Sequence, residues 1–317
     1  MNVNHIIKVE NLKKTYKGNI QAIDGVGFEV EKGSIFGLIG PNGAGKSTTI
    51  KILTTLVKAD SGEARIGGCD VNTEPDRVRK IIGWVSQHSS VFLDGTAREN
   101  LMLQGELYGM RGRVLKTRAD ELLSHFGLHE ASDRMAATYS GGMLRKLDVA
   151  LGLIHRPQIL FLDEPATGLD PEARSSLWEI ITSLSKQENV TVVLTTHYLE
   201  EVDRLADKLA IVHAGKVIAE GTPASLKEAL NESMIHLSLD RRVELQAEII
   251  KKALSSVKNI CKAEIDGNTI KLRAANASAA LVFNRSYGWC CSATYFQAWR
   301  RSPDLSIIRL FHICFRA

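Results

Sequence analysis

Residues 40–47 read Gly40-Pro41-Asn42-Gly43-Ala44-Gly45-Lys46-Ser47, which matches the pattern glycine, four residues of any type, glycine, lysine, then serine or threonine. An apolar run precedes this segment, and a helix-compatible run, residues 47–53, follows it. This order predicts a strand, a glycine-rich loop and a helix whose backbone N–H groups bind a polyphosphate. We expect Lys46 to contact the terminal phosphates, Ser47 to ligate Mg²⁺, and Thr48 to complete the nucleotide-binding segment.

The composition is that of an ordinary globular protein with a main domain and a smaller one. The chain has 317 residues, of which 44% are hydrophobic and 24% charged. Its net charge of +4 neither supports nor excludes a nucleic-acid or anionic-membrane partner. The 5 cysteines are odd in number and lack metal-site spacing, so a reducing cytosol is expected. The N-terminus has no apolar signal segment, and no stretch approaches about 18 uninterrupted apolar residues, so we expect no membrane span.

Apolar patterning predicts an α/β fold with an added antiparallel layer. Alternating residues within 5–36, together with residues 62–68, indicate half-buried antiparallel strands. Four later apolar runs are of the fully buried, parallel type, and helical stretches separate them. These runs are residues 81–85, 159–162, 190–194 and 209–212.

Two further regions depart from that pattern. Helix formers without an evident strand predict a helical subdomain inserted in the main domain, at about residues 92–155. The main domain is expected to span 1–230 and a small α+β accessory domain 231–317. In the accessory domain we expect a strand near 235–239, a helix over 243–254, and a hairpin that turns at Asp266-Gly267-Asn268.

Two carboxylates, Asp163 and Glu164, directly follow the apolar run 159–162. A buried strand explains the run but not a pair of acids at its carboxyl end, where the sheet faces the phosphate loop. Asp163 can hold Mg²⁺, and Glu164 can orient or deprotonate an attacking water. A solvated acidic turn before Pro165 is the alternative.

Residues 139–143 read Tyr139-Ser140-Gly141-Gly142-Met143 and precede a helix with apolar residues on one face. Ser140 is a good N-cap. Glycine in a first helical turn costs about 1 kcal/mol relative to alanine, so a plain cap does not explain Gly141 and Gly142. Close approach of backbone amides to an anion does, and a glycine-tolerant helix start is the alternative.

This segment resembles the signature sequence of ABC ATPases, the ATP-binding-cassette proteins, and the resemblance extends over about residues 5–230. The chain is most similar to ATP-binding subunits of daunorubicin- or multidrug-resistance-type exporters, whose signature commonly carries methionine at the position of Met143. The resemblance implies a P-loop NTPase fold, with ATP and Mg²⁺ as cofactors.

The remaining family motifs match single residues. The resemblance implies that Tyr16 stacks on adenine, that Gln87 contacts Mg²⁺ and water, and that Asp170 lies in the loop that crosses a dimer interface. It also implies that His197 contacts the γ-phosphate. A core tyrosine is the alternative for Tyr16, and an ordinary turn for Asp170.

The resemblance also implies partners. Each ATP would lie between the phosphate loop of one subunit and residues Ser140, Gly141 and Gly142 of another, either a second copy or a paired cassette. An exporter subunit without membrane spans needs a separate permease, expected to be of the ABC-2 type, and a place on the inner face of the cell membrane. No nucleic-acid partner is expected.

Two questions stay open at the level of sequence. A soluble ABC ATPase acting in translation or DNA maintenance is the alternative to an exporter subunit, although such proteins tend to carry tandem cassettes or long inserts. From about residue 282 the sequence has no clean period. A frameshift or altered terminus, a divergent folded end, or a membrane-surface tail would each account for it.

Overall fold

The computed structural model describes residues 5–230, 233–238, 260–266 and 269–274, with side chains through residue 226. The chain divides into two units, Met1–Leu226 and Lys227–Ala317. Among the described residues, the first unit contains two sheets and the second contains one.

The first sheet is the antiparallel layer predicted from the N-terminal alternation. Its strands lie in the order β2-β1-β4-β5 and pair antiparallel. They are β1 (His5–Tyr16), β2 (Ile20–Glu31), β4 (Ser61–Ile66) and β5 (Cys69–Asp70). Most apolar side chains of β1 and β2 are buried, whereas the residues between them are exposed or half-buried, and the buried set packs toward the second sheet.

The second sheet holds the four predicted buried runs together with the strand that precedes the phosphate loop. Its order is β10-β9-β3-β8-β7-β6, parallel from β9 to β6, with β10 antiparallel at the edge. The strands are β3 (Ile35–Ile39), β6 (Ile82–Val85), β7 (Ile159–Asp163), β8 (Thr191–Thr196), β9 (Lys208–His213) and β10 (Lys216–Gly221). All residues of β3, β7 and β8 are buried, as expected for parallel strands covered on both faces.

Helices connect the parallel strands and cover the sheet. They are α1 (Lys46–Leu53), α2 (Pro75–Ile81), α5 (Gly141–Leu153), α6 (Pro171–Lys186) and α7 (Leu199–Leu205), and a further helix, α8 (Pro223–Leu230), follows the edge strand β10. One apolar core joins the sheet to α5, α6 and the helical insertion, and a second joins it to α1 and the antiparallel layer. Across the second core, the rings of Phe28 and Phe36 stack with centroids 5.0 Å apart.

The predicted helical insertion lies between β6 and β7. It contains α3 (Ala97–Leu107), α4 (Gly112–His125) and two short 3₁₀ segments, His129–Ala131 and Ala136–Thr138. Thr96 and Glu99 form a reciprocal capping box at the start of α3. The helices predicted in this region are therefore present.

The second unit contains a three-stranded antiparallel sheet in the order β11-β13-β12. Its strands are β11 (Ser233–Ser238), β12 (Ile260–Asp266) and β13 (Thr269–Ala274). The predicted strand near 235–239 and the hairpin pairing are both present. The expected helix over 243–254 and the segment from about 282 lie outside the described residues.

No helix in the described part of the chain is both long and apolar enough to cross a bilayer.

Candidate functional site

The glycine-rich loop connects β3 to α1 at the carboxyl edge of the parallel sheet. Lys46 is the first residue of α1, and its side chain is 4% exposed. Its ammonium folds back over the loop and donates to the carbonyl oxygens of Gly40, at 2.8 Å, and Pro41, at 3.1 Å. The positive charge is therefore held inside the loop, with the backbone N–H groups that begin the helix.

Gly45 allows the close turn from the loop into the helix. Its φ is +107°, a conformation that costs glycine little and other residues much. A Cβ at this position would lie 2.5 Å from the carbonyl oxygen of Ala22 in β2. A side chain here would push the loop away from the antiparallel layer.

Ser47 and Asp163 meet across the end of the sheet. Ser47 Oγ donates to Asp163 Oδ1 at 3.0 Å, and Thr195 Oγ1 donates to the same oxygen at 2.6 Å. Adjacent oxygen ligands of an octahedral Mg²⁺ with bonds of about 2.1 Å lie about 3 Å apart. A hydroxyl and a carboxylate at this separation fit two neighbouring positions around that ion.

Glu164 lies between the lysine and the histidine. Its side chain is largely buried, with Oε1 3.5 Å from Lys46 Nζ and Oε2 3.1 Å from His197 Nδ1. Its backbone N–H donates to Thr195 Oγ1 at 2.9 Å. A carboxylate held by two cationic or hydrogen-bonding groups at the edge of a phosphate loop is placed to orient water or accept its proton.

The structure thus brings together five of the sequence-predicted residues: Lys46, Ser47, Asp163, Glu164 and His197. They come from α1, from the end of β7 and from the residue after β8. Because parallel strands β7 and β8 are neighbours beside β3, their carboxyl ends meet at one edge of the sheet.

The other predicted residues lie at separate positions. Tyr16 ends β1 with a half-exposed ring, 5.8 Å from Lys14 Nζ. Gln87 is exposed and follows β6 by two residues. Ser140 caps α5 through the N–H of Met143 at 3.3 Å, and Asp170 caps α6 through the N–H of Ala173 at 2.8 Å.

Comparison with known proteins identifies the family. The ABC transporter family profile matches residues 23–167. The daunorubicin/doxorubicin resistance ATP-binding protein DrrA of Streptomyces peucetius is 46% identical over 78% of this chain and 74% of its own length. The chain belongs to the ABC transporter family of ATP-binding proteins.

Two further similarities extend this result. The Nod factor export ATP-binding protein I of Ralstonia nicotianae is 40% identical over 70% of this chain and 68% of its own length. A solved dimeric ATP-binding cassette in a post-hydrolysis state, bound to ADP and Pi, has a TM-score of 0.62 and 27% identity, covering 68% of this chain and 98% of that chain. The P-loop NTPase fold, ATP binding and ATPase activity of this ABC cassette follow from the family.

Sequence reasoning about the cassette missed Arg145, a buried cation on α5. Its Nε donates to Pro165 O at 2.8 Å, and its Nη1 donates to Ser86 O at 2.7 Å. Burial lowers the pKa of this guanidinium. The sequence did contain a signal for this buried ion pair. Arg145 and Asp148 have opposite charges and lie three residues apart, beside the apolar face of a helix.

Asp148 is a second buried charge of the cassette that the sequence did not indicate. Its Oδ1 accepts hydrogen bonds from the Ser90 N–H, at 2.9 Å, and the Ser90 hydroxyl, at 3.2 Å. Burial raises the pKa of this carboxyl, and the bonds from Ser90 oppose that shift. Asp148 therefore ties α5 to the segment that follows Gln87.

Glu201 on α7 is the third buried charge beside the site, with 2% of its surface exposed. Burial raises the pKa of its carboxyl, while a hydrogen bond from Thr196 and the nearby Arg174 and His197 lower it. Arg174 in turn donates to Leu169 O at 3.3 Å and lies over the ring of Tyr198. Through Arg174, these contacts connect the loop before Asp170 to His197 and Tyr198, the two residues that follow β8.

Proposed function

We propose that this chain is the ATP-driven motor subunit of an exporter, in which two cassettes close on two ATP molecules and hydrolysis resets them. The observation that carries the proposal is the contact series Lys46–Glu164–His197 beside Ser47–Asp163. A lysine-bearing phosphate loop, a hydroxyl–carboxylate pair and a second carboxylate form the parts that phosphoryl transfer to water requires.

Each residue then has a distinct task. Lys46 and the loop amides bind the β- and γ-phosphates, and Glu164 orients the attacking water and accepts its proton. His197 holds the Glu164 carboxylate and contacts the γ-phosphate. Bound Mg²⁺, with Ser47 and Asp163 as ligands and Gln87 beside them, would neutralise phosphate charge.

A second copy completes the site in this proposal. Charge that develops on the equatorial phosphate oxygens needs donors on the side opposite Lys46. Ser140, the amides of Gly141 and Gly142 and the N-terminus of α5 supply them in trans, with Asp170 at the same interface. Tyr16 stacks on the adenine ring.

The relatives favour export over a role in translation or DNA maintenance, since their names describe antibiotic resistance and Nod factor export. We therefore propose an ABC-2-type permease as partner, with the cassette on the cytoplasmic face of the membrane. Leu103 and Leu107, one turn apart on α3, are 53% and 75% exposed. Large apolar side chains exposed on the helical insertion fit a surface that another protein covers.

The ATP-dependent dimer is tested with Glu164→Gln. Loss of the proton acceptor should slow hydrolysis about 10²–10⁴-fold while the phosphate loop still binds nucleotide. The variant should therefore elute as a dimer with ATP and as a monomer with ADP in size-exclusion chromatography. A variant that binds ATP with wild-type affinity but stays monomeric would contradict the proposal.

The permease contact is tested with Leu107→Glu, after co-expression with an ABC-2-type permease that the wild-type chain has been shown to bind. We expect the variant to lose co-purification with the membrane protein while keeping ATP binding. Ile218→Glu is the matched control, because Ile218 is 62% exposed and lies on the edge strand β10. Equal recovery of both variants with the permease would remove α3 from the interface.

A further inference from the structure

Arg145 contacts the backbone of residues 163–165, which carry Glu164 and are called the catalytic turn below, at three successive carbonyl oxygens. Besides Pro165 O at 2.8 Å, its guanidinium donates from Nη2 to Asp163 O at 3.2 Å and to Glu164 O at 3.4 Å. Nη1 donates to Ser86 O at 2.7 Å, immediately before Gln87. One buried side chain thus joins the turn that carries Glu164 to the segment that carries Gln87.

The turn needs such support. Glu164 has a φ of +48°, in the left-handed region, where a residue other than glycine is strained. Such a conformation persists only where surrounding contacts over-determine it. Thr195 holds the N–H of Glu164 at 2.9 Å, and Arg145 holds its carbonyl and those of both neighbours.

The planar fork of arginine suits this task. Its five N–H donors have fixed directions, so one side chain can serve several carbonyl oxygens at once. The side chain of Arg145 is only 8% exposed, and Asp148 Oδ2, 3.9 Å from Nη1, balances its charge. A lysine at the same position carries its donors on one nitrogen atom, which cannot contact the carbonyl oxygens of residues 86 and 163–165 at once.

We propose that Arg145 is a positioning residue for ATP hydrolysis, which holds the Glu164 turn in its catalytic conformation and links it to α5. This inference rests on the proposed function, in which Ser140 at the start of α5 contacts the nucleotide bound to the second copy. A shift of α5 on closure would then move the Glu164 backbone of its own chain through Arg145, and so couple the two nucleotide sites.

The test compares Arg145→Lys with Arg118→Lys in the full chain. Arg118 is the matched control: both arginines are 7% exposed, and Arg118 also donates to a carbonyl oxygen, that of Leu153 at 3.0 Å. Arg118 lies on α4 and binds the C-terminal end of α5, and it makes none of the contacts with residues 163–165 that Arg145 makes. Steady-state hydrolysis gives kcat and KM, and a fluorescent ATP analogue gives the affinity and the fraction of competent sites.

A misplacement of about 1 Å costs about 10²-fold in rate, so we expect Arg145→Lys to lower kcat per competent site by about 30- to 100-fold. KM and analogue affinity should stay within about twofold. Arg118→Lys should keep kcat per competent site at the wild-type value. Arg145→Met, which retains only the apolar stem, should fall below Arg145→Lys.

Three results would overturn the inference while leaving the proposed function intact. They are equal kcat per competent site in the two lysine variants, a rise in KM at unchanged kcat, and a wild-type kcat per competent site in Arg145→Met. Absence of hydrolysis in the wild-type chain would instead contradict the proposed function itself. Correction for competent sites keeps the comparison valid if either variant folds less completely.

Discussion

Glu164 combines a reactive carboxylate with a strained backbone. Its φ of +48° costs of the order of 1–3 kcal/mol, which its neighbours offset through Thr195 and Arg145. The sequence predicts the carboxylate, because two acids follow a buried strand. It does not predict the left-handed turn, because no glycine or asparagine marks that position.

Glu201 provides a prediction about stability and pH. Its carboxyl is buried, Oε1 has no hydrogen-bond partner among the described residues, and burial raises its pKa above 4.5. Between pH 4.5 and that raised pKa, the folded chain binds more protons than the unfolded chain, so this group's contribution to stability falls as the pH rises. Near neutral pH, Glu201→Gln should therefore unfold at a higher temperature than the wild type.

The expected gain is about 1 kcal/mol, at the low end of the desolvation cost of an incompletely paired buried charge, because the glutamine amide is neutral. It should shrink as the pH is lowered toward 4.5, because the wild-type carboxyl then becomes protonated and neutral. Thermal unfolding over a pH series measures it, with the exposed Glu200→Gln on the same helix as control. A gain that does not change with pH would show that charge burial at Glu201 is not its cause.

At the scale of elements, the first turns of α5 and α6 lie against each other. A Cβ on Gly142 would lie 2.7 Å from the Cβ of Ala173, whereas a Cβ on Gly141 would have no atom within 4 Å. The two glycines therefore serve different needs within one chain. Close helix packing requires Gly142, but no contact within the described part of the chain requires Gly141.

This difference predicts opposite stability effects for two adjacent substitutions. Gly141→Ala should stabilise the chain by up to about 1 kcal/mol through helix propensity. Gly142→Ala should destabilise it by about 1–3 kcal/mol because α5 and α6 must separate. Chemical denaturation of the two variants measures both values, and ATPase assays follow.

A stable but inactive Gly141→Ala variant would assign Gly141 to close approach of a nucleotide, as the proposed dimer requires. Full activity of Gly141→Ala would show that Gly141 is not needed for nucleotide binding and is only tolerated at the start of the helix. Equal destabilisation by both substitutions would mean that the packing of α5 on α6 is not what distinguishes them.

The strands and helices near the site could be predicted from sequence because their patterns are strong. Buried runs predicted β3, β7 and β8, and Ser140 predicted the start of α5. Edge strand β10 has no counterpart among the predictions, since residues 216–221 alternate only between exposed and half-buried positions. The buried contacts of Arg145 were not predictable, because a charged helix residue is usually solvated.

At the scale of the molecule, the nucleotide-site residues fall into two sets. Lys46, Ser47, Asp163, Glu164 and His197 contact one another in series. Among the described residues, no hydrogen bond or ion pair joins residues 140–142 to that set. In the proposed arrangement a second copy supplies residues 140–142 to that triphosphate, and a two-fold symmetric dimer then contains two composite sites.

Mixed dimers distinguish this arrangement from a site built within one chain. Lys46→Ala impairs the phosphate loop, and Ser140→Arg blocks the exposed start of α5. A dimer of the two variants, isolated with two affinity tags, keeps one composite site intact only if the sets act in trans. We expect it to recover at most about half of the wild-type hydrolysis rate, the share of one composite site in two, although each variant alone is inactive.

The converse dimer pairs the wild-type chain with the double variant Lys46→Ala/Ser140→Arg. If the sets act in trans, both of its composite sites carry one defect, so hydrolysis should be absent. If they act within one chain, the wild-type protomer retains a complete site and the converse dimer is the active one. The paired arrangement would be contradicted if the converse dimer were active and the dimer of single variants were not. Lys46 and residues 140–142 of one chain would then act on the same nucleotide.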